Sequence, residues 1–228
     1  MDRIVACVPA YNEGKTLGLV LKPLVEARNQ EVIDEIVVVD DGSSDSTVEV
    51  ARVLGVRVLG HGKNMGKAKA FITAFEYALR KDADILFTTD ADMFDLTPDK
   101  IGVFLHNIRG RDDVWMIRAK YGQPKTQAGY GYGPACQNGA VDDVRFSGFR
   151  AVRVKAVDEL IKKKPKMRPI IETSGYGIEA ALEILIPEGR KIEVAGIPLT
   201  SRPAGAGSKT RTQIVSEIEA LKEKLGKD

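Results

Sequence analysis

The first ninety residues alternate between short apolar runs and longer segments whose apolar side chains recur every three to four positions. The short runs are typical of strands buried on both faces, and the longer segments of helices with one buried side. Pro23 predicts either a kink in the first helix or a later start for it. The predicted strands cover 4–10, 35–41, 56–60 and 84–90, and the predicted helices cover 14–28, 46–55 and 66–81.

This order predicts an α/β fold: right-handed βαβ units on a doubly wound, mostly parallel sheet with helices on both faces. The later part of the chain is less regular. Residues 121–140 are rich in Gly, Tyr, Gln and Pro without periodicity, which is typical of a functional or disordered loop. No linker-like change in composition divides the 228 residues, so we expect one domain. The remaining elements are predicted as helices at 97–109, 154–163, 176–189 and 215–225 and strands at 114–120, 145–153 and 191–199.

The composition is that of an ordinary globular protein, with 43% apolar and 29% charged residues and a net charge of +2. Lys and Arg are concentrated at 162–168 and 202–227. Such runs are solvated helix faces or surfaces that attract phosphates and anionic lipid headgroups. Aromatic side chains are not interleaved with the basic ones, so we expect no nucleic-acid partner.

The chain holds two cysteines, Cys7 and Cys136, and two histidines, His61 and His106. Without a Cys/His cluster we expect neither a zinc site nor a disulfide framework, and Cys7 reads as a small buried residue of the first strand. No signal-peptide pattern and no run of about 18 apolar residues is found. We therefore expect a cytoplasmic protein without a transmembrane helix.

Three polar clusters follow three of the predicted strands: PAYNE after the first, DDGSSDS after the second and DAD after the fourth. The carboxyl ends of parallel strands meet at one edge of the sheet, where such folds bind ligands. We therefore expect the three clusters to form one site.

Asp90 and Asp92 point to the same side of an extended chain, with Cα atoms roughly 6.5 Å apart. Two carboxylates at this range repel, and one takes up a proton unless a cation lies between them. Oxygen ligands with open positions suit Mg²⁺ or Mn²⁺ shared with a substrate's phosphates. We therefore predict a metal site formed by Asp90 and Asp92.

Two loops have both a structural and a functional interpretation. Asp41 and Gly42 form either a capped turn or a group that binds a ribose or a base edge. The segment 61–70 lacks the P-loop spacing, yet its glycines lead into a helix N-terminus that attracts anions, with Lys63 and Lys67 nearby. No G-x-G-x-x-G follows the first strand, which disfavours a dinucleotide cofactor.

The segments VPAYNEGKTL, VVVDDGSSDST, GKNMGKAKA, TTDADM, FSGFRAVR and RPAGAGSK together resemble the family 2 glycosyltransferases in order and spacing. The subgroup that the chain resembles is the dolichol-phosphate mannose synthase type, which glycosylates a polyprenyl phosphate. The resemblance implies a single GT-A domain, with a nucleotide-sugar-binding half at 1–95 and an acceptor-binding half at 96–228.

The resemblance also implies roles for individual residues. Asp90 and Asp92 bind the metal, with Asp92 as the main ligand. Arg202, Ser208 and Lys209 belong to a segment that closes over the donor phosphates or the acceptor phosphate. The nucleotide-sugar is bound by Pro9, Ala10, Tyr11, Glu13, Asp41, Gly42, Lys67 and Asp90. The acceptor is bound by Arg118, Arg145, Ser147, Gly148, Ser208 and Lys209.

The implied reaction is a metal-dependent, inverting transfer of a hexose, with GDP-mannose and then UDP-glucose as the donors to test. A phosphate acceptor needs no strong base, whereas a hydroxyl acceptor needs a carboxylate, for which Glu179 and Asp143 are candidates. Met93 and Phe94 replace the polar residues usual in the dolichol-type enzymes, so a small soluble acceptor stays open beside a polyprenyl phosphate.

Other readings also stay open. A peripheral contact with the membrane surface and a homodimer are both compatible with the sequence. A pyrophosphorylase would need a Gly- and Arg-rich first loop, where this chain has PAYNE instead. A non-catalytic nucleotide-sugar-binding module would lack the metal pair or the acceptor residues, and since both are present, catalysis is favoured.

Overall fold

The structure, a computed structural model, describes residues 1–121, 148–163, 182, 190–197, 200–201, 216, 220 and 223. Its helices are α1 (Leu17–Asn29), α2 (Thr47–Val53), α3 (Lys67–Arg80), α4 (Pro98–His106) and α5 (Val154–Lys163). Its strands are β1 (Ile4–Ala10), β2 (Glu35–Asp40), β3 (Arg57–Gly60), β4 (Ile85–Thr88), β5 (Met93–Phe94), β6 (Val114–Tyr121), β7 (Arg150–Arg153), β8 (Lys191–Ile197) and β9 (Thr200–Ser201).

Seven of these strands form one sheet in the order β3-β2-β1-β4-β7-β6-β8. Strands β1 to β4 are parallel, and β6 is parallel to β8. Strand β7 is antiparallel to both of its neighbours, β4 and β6. The predicted doubly wound, mostly parallel sheet is therefore confirmed. Because β2 and β4 lie on opposite sides of β1, the chain reverses its winding direction between β1 and β4.

Each face of the sheet carries its own apolar core, because successive side chains of a buried strand point to opposite faces. In β1, Ile4, Ala6 and Val8 pack in the cluster that contains residues of α1, α2 and α4. Val5 and Cys7 pack on the other face, against α3 and α5. Cys7 is buried, as predicted, and its burial raises the pKa of its thiol. Full burial of a Leu or Ile side chain contributes about 1.5–3 kcal/mol, so both layers hold the sheet in place.

The helix and strand boundaries refine the predictions. Helix α1 begins late, at Leu17, and contains Pro23 in its interior. Helix α4 begins with Pro98 after the N-cap Thr97, whose side chain accepts a hydrogen bond from the Lys100 N–H. The short pair β5 and β9 was not predicted, since two-residue strands leave no periodic signal.

Several predicted elements lie wholly or partly outside the described residues. These are the loop at 121–140, the beginning of the strand at 145–153, and most of the helices at 176–189 and 215–225. Leu182 and residues 216, 220 and 223 are helical, in agreement with the last two. The division of the chain at residue 95 stays a prediction. In the part of the chain that the structure describes, no helix combines the length and hydropathy that a membrane crossing needs.

Three aromatic rings fix the start of β7 beside the end of β4. The Phe149 ring packs edge-on against Phe87, with centroids 4.9 Å apart, and against Phe104, with centroids 4.7 Å apart. All three side chains are buried. Edge-to-face pairs add about 0.5–1.5 kcal/mol to the burial of the rings. Residue 148 is thereby held next to the polar segment that follows β4.

Candidate active site

The three polar clusters meet, as predicted, at the carboxyl ends of the neighbouring strands β2, β1 and β4. The edge between β1 and β4 is where the winding direction reverses, and open α/β sheets bind their ligands at this crevice. A small cleft, open on one side, lies there. It is lined by Pro9, Lys67, Phe71, Thr88, Asp90, Gly148, Arg150 and Leu182.

The loop after β1 is hydrogen-bonded to the loop after β2. The N–H of Asn12 donates to Ser43 Oγ at 2.9 Å, and the N–H of Ser44 donates back to Asn12 Oδ1 at 2.9 Å. The N–H of Glu13 donates to Thr47 Oγ1 at 2.8 Å. These bonds fix Glu13 and leave the Tyr11 side chain 47% exposed beside it. The Ser- and Asp-rich cluster therefore braces the first loop in addition to starting α2.

Asp45 links the same two loops through its carboxylate. The N–H of Gly14 donates to Asp45 Oδ2 at 2.9 Å, and the N–H of Thr47 donates to Asp45 Oδ1 at 3.0 Å. Desolvation alone would raise the pKa of Asp45, but the hydrogen bonds from Thr47 and Gly14 lower it on balance. Asp45 is thus held ionised as a structural acceptor.

Gly42 allows the loop after β2 to approach the turn that precedes α3. Its φ of +82° lies in the left-handed region, and a Cβ atom there would lie 2.5 Å from the carbonyl carbon of Lys63. Only glycine fits this position without strain. The two segments are therefore in backbone contact at the edge of the candidate site.

The Asp41 side chain is buried and serves this same turn. Its Oδ2 accepts a hydrogen bond from Gly66 N at 2.7 Å, and its Oδ1 accepts one from Met65 N at 2.8 Å. His61 Nδ1 lies 2.8 Å from the same Oδ1. These contacts were not foreseen, and a direct contact between Asp41 and a nucleotide stays a prediction.

Lys67 and the two aspartates of the D-x-D segment form the charged centre of the site. Lys67 Nζ donates to Asp90 Oδ1 at 2.8 Å. Burial, followed by the negative charges of Asp90 and Glu13, raises the pKa of Asp92 to about 6, although Lys67 acts in the opposite direction. The structure thus brings Glu13, Lys67, Asp90 and Asp92 together. Three carboxylates beside one lysine leave a net negative charge that favours a cation.

The acidic pair has the chemistry of a shared divalent-metal site. Within the described ranges, no group of three or more His, Cys, Asp or Glu side chains could hold a metal ion. Asp90 and Asp92 alone would leave several coordination positions to other oxygens, which is how Mg²⁺ is bound together with substrate phosphates. The raised pKa means that the ionised form of Asp92 is disfavoured without a cation, and a bound cation would remove this cost.

Comparison with known proteins identifies the family. The model of the family described as "Glycosyl transferase family 2" matches residues 5–160. The chain belongs to this family. It is therefore a family 2 glycosyltransferase, as its motifs predicted. The match begins at β1 and ends in α5, and it contains all three polar clusters.

Two curated relatives carry names that bear on the substrates. The glucosyl-3-phosphoglycerate synthase of Petrotoga mobilis is 26% identical over 255 aligned positions, which cover 99% of this chain and 75% of that protein. The dolichol-phosphate mannosyltransferase of Pyrococcus furiosus is 27% identical over 215 positions. That alignment covers 87% of this chain, and the chain spans only 56% of that relative's length.

A solved structure shares the fold. The glucosyl-3-phosphoglycerate synthase of Mycobacterium tuberculosis, crystallised with Mn²⁺, uridine diphosphate and phosphoglyceric acid, superimposes with a TM-score of 0.69. The superposition covers 100% of this chain and 80% of that one, at 19% sequence identity. The fold of the family 2 glycosyltransferase described here is therefore GT-A, as predicted.

Of the residues predicted to bind the acceptor of this glycosyltransferase, the structure describes Arg118 and Gly148. The register between β6 and β7 places Arg118 opposite Arg150, so their Cβ atoms share one face of the sheet. Arg150 is 2% exposed and lines the cleft. Strand β9 pairs with β5, which places Ser201 opposite Met93 and next to the D-x-D segment. Outside the described residues lie Asp143, Arg145, Ser147, Glu179, Arg202, Ser208 and Lys209.

Because Gly148 has no side chain, the Asp90 carboxylate can occupy the space where its Cβ atom would lie. A Cβ atom on residue 148 would lie 2.2 Å from Asp90 Oδ1 and 2.4 Å from its other oxygen. Thr88 Oγ1 donates to the Gly148 carbonyl oxygen at 2.9 Å and fixes this approach. Gly148, which was predicted to bind the acceptor, therefore also determines where the Asp90 carboxylate lies.

The sequence did not single out His61, Thr88 or Arg150 as site residues. Thr88 and Arg150 lie inside apolar strands, where they resemble ordinary strand positions. His61 directly follows β3 and is one of only two histidines, which was the available signal. Their partners are distant in sequence, so only the sheet register reveals them.

We expect Asp92→Asn to stabilise the metal-free protein at neutral pH. A raised native pKa means that ionised Asp92 is disfavoured in the fold, so its cost appears as pH rises from about 4 to about 6 and persists above. After allowance for solvent screening, the gain is about 1–2 kcal/mol at pH 7.5. Chemical denaturation of both proteins at pH 4 and pH 7.5 measures it, with Asp112→Asn as an exposed control. An equal difference at both pH values would contradict the electrostatic explanation.

We expect Gly148→Ala to weaken divalent-metal binding about 10- to 100-fold, because the added methyl group must displace the Asp90 carboxylate. Isothermal titration with Mn²⁺ measures the affinity. The matched control is Gly102→Ala in α4, where a Cβ would meet only Val32 at 3.7 Å. Unchanged Mn²⁺ affinity in folded Gly148→Ala would show that Asp90 does not depend on this glycine.

Proposed function

We propose that this glycosyltransferase transfers a hexose from a nucleotide-diphosphate sugar to a phosphate-bearing acceptor. The observation that carries the proposal is the charged cluster at the crevice between β1 and β4. Lys67 donates a hydrogen bond to Asp90, and the pKa of the neighbouring Asp92 is raised to about 6. This arrangement needs a cation, and a cation there would attract a diphosphate. The family membership supplies the reaction class.

Asp90 and Asp92 would hold Mg²⁺ or Mn²⁺, and the ion would neutralise the leaving diphosphate. The crystallised neighbour that contains Mn²⁺ and uridine diphosphate supports this choice. Pro9, Ala10, Tyr11, Glu13 and Gly42 would line the nucleotide pocket. We expect UDP-glucose or GDP-mannose as the donor, and the neighbour's nucleotide puts UDP-glucose first.

Lys67 would contribute a positive charge beside the donor phosphates while it holds Asp90. In the transfer, a bond forms between the acceptor oxygen and C1 of the sugar, and the bond from C1 to the diphosphate oxygen breaks. Attack from the face opposite the leaving group would invert C1. A phosphate acceptor is already anionic and has no proton to give up. A hydroxyl acceptor would pass its proton to a carboxylate, for which Glu179 and Asp143 remain the proposals.

Positive side chains on the acceptor side fit a phosphate. Arg118 and Arg150 face the same side of the sheet, and Arg150 lines the cleft. Arg145, Ser147, Arg202, Ser208 and Lys209 remain proposals for the same role. The relative aligned over 99% of this chain is named for a phosphoglycerate acceptor, which favours a small phosphorylated metabolite. A polyprenyl phosphate, after the dolichol-type relative, is the second candidate, and a membrane-surface contact and a homodimer stay proposals with it.

We expect transfer from one nucleotide-sugar that depends on Mg²⁺ or Mn²⁺. The test combines UDP-glucose and GDP-mannose with 3-phosphoglycerate or with a polyprenyl phosphate in detergent, and measures the glycosylated product by mass spectrometry. Asp92→Ala should lower the rate about 10²–10³-fold, because the cation at the leaving group is lost. His106→Ala, on the exposed end of α4, is the control. Nucleotide-sugar binding without any transfer would instead indicate a binding module.

A further inference from the structure

His61 connects two segments that both lead to the charged centre of the site. Its Nδ1 lies 2.8 Å from Asp41 Oδ1, and its Nε2 lies 2.8 Å from Thr73 Oγ1. The side chains of His61 and Asp41 are each only 7% exposed. Both ring nitrogens are therefore engaged inside the protein, and His61 has no geometry for contact with a substrate.

The Asp41 carboxylate fixes the direction of one hydrogen bond of the ring. A carboxylate oxygen accepts, so His61 Nδ1 donates to Asp41. The Thr73 hydroxyl both donates and accepts, so it pairs with Nε2 in either form of the ring. Asp41 Oδ1 thus accepts from both His61 and Met65 N, while Oδ2 accepts from Gly66 N. His61 orients the carboxylate that holds the turn at 65–66.

This turn determines where α3 begins. Gly66 is the N-cap of α3, with a φ of +91°, and its carbonyl accepts the first helical hydrogen bonds, from Lys69 N and Ala70 N. Lys67 is the first residue of the helix, and its Nζ reaches Asp90. Thr73 lies in the same helix, between one and two turns further on. His61 therefore holds α3 at two points, at its start through Asp41 and along its side through Thr73.

We propose that His61 is a positioning residue that sets the start of α3 so that the Lys67 ammonium meets Asp90. The path runs from His61 to Asp41, through the turn at 65–66 to Lys67, and every contact in it is a hydrogen bond or a peptide bond. The placement of Lys67 follows from the geometry alone. Its consequence for the donor diphosphate rests on the proposed function.

The direct test measures the placement of Lys67 without any substrate. The protein is acetylated with an amine-reactive reagent, and mass spectrometry compares the labelling rate of Lys67 with that of Lys22, which is exposed on α1. Lys67 is 19% exposed and ion-paired, so it reacts slowly in the wild type. His61→Ala should raise the labelling rate of Lys67 about tenfold. The variant loses the hydrogen bond to the Asp41 carboxylate, which holds the start of α3 and therefore Lys67.

Milder variants keep the test valid if His61→Ala does not fold. His61→Asn retains a donor for Asp41 and loses Thr73, and Thr73→Val loses the same contact from the other side. These two variants should raise the Lys67 rate by similar, smaller amounts. His106→Ala should leave it unchanged. A Lys67 rate equal to that of the wild type in the folded His61 variants would overturn the proposal.

A double-mutant cycle tests the consequence for binding, with UDP and GDP in the presence of Mn²⁺ as probes. His61→Ala should weaken binding of the preferred nucleotide about tenfold in the wild-type background, but less than about twofold when Lys67 is already Met. An equal loss in both backgrounds would overturn the proposed route through Lys67. If the wild type binds neither nucleotide, the proposed function fails, and the labelling rates still decide whether His61 positions Lys67.

Discussion

The burial of the Asp92 carboxylate beside the negative charge of Asp90 is the constraint on which the site depends. Strand β4 ends at Thr88, two residues before Asp90, and Asp92 lies in the turn that follows. A third carboxylate, Glu13, adds its charge to Asp92. Burial contributes most to the raised pKa of Asp92, the charges of Asp90 and Glu13 add to it, and Lys67 opposes it, with a value of about 6 as the result. Such an arrangement weakens the fold at neutral pH. Proteins retain local costs of this kind where a ligand removes them, and a divalent cation is the ligand that this donor set fits.

The fold holds these charges in place by means that lie outside the charged groups. Parallel pairing sets the carboxyl ends of β1, β2 and β4 side by side. The aromatic contacts of Phe149 seat the neighbouring glycine, Gly148, against Asp90, where no side chain would fit. Asp41 and His61 hold the start of α3 from the opposite side. Apolar packing and the hydrogen bonds of Asp41 thus position groups that would otherwise separate.

The sequence predicted the parts of this account that depend on local pattern. The alternation of buried strands with helices sufficed for the βαβ order. The extended geometry assumed for Asp90 and Asp92 was wrong, because β4 ends at Thr88 and Asp92 lies in a turn. Contacts between distant residues were not predictable in the same way. The two-residue strand β5 carries no periodic signal, and its partner β9 lies more than one hundred residues later. The approach of Gly148 to Asp90 depends on β7 being inserted antiparallel beside β4. The hydrogen bonds of Asp41 with Met65, Gly66 and His61 were likewise not predictable from local pattern.

The central claim is that a divalent cation relieves the repulsion at Asp90 and Asp92. The measurement that tests it most directly is a ¹³C NMR titration of the Asp92 carboxyl carbon, assigned with Asp92→Asn, in metal-free buffer and in excess Mg²⁺. The account predicts a pKa of about 6 without metal and a value well below the ordinary range of aspartate with Mg²⁺. An ordinary pKa in metal-free buffer that does not respond to Mg²⁺ would contradict it.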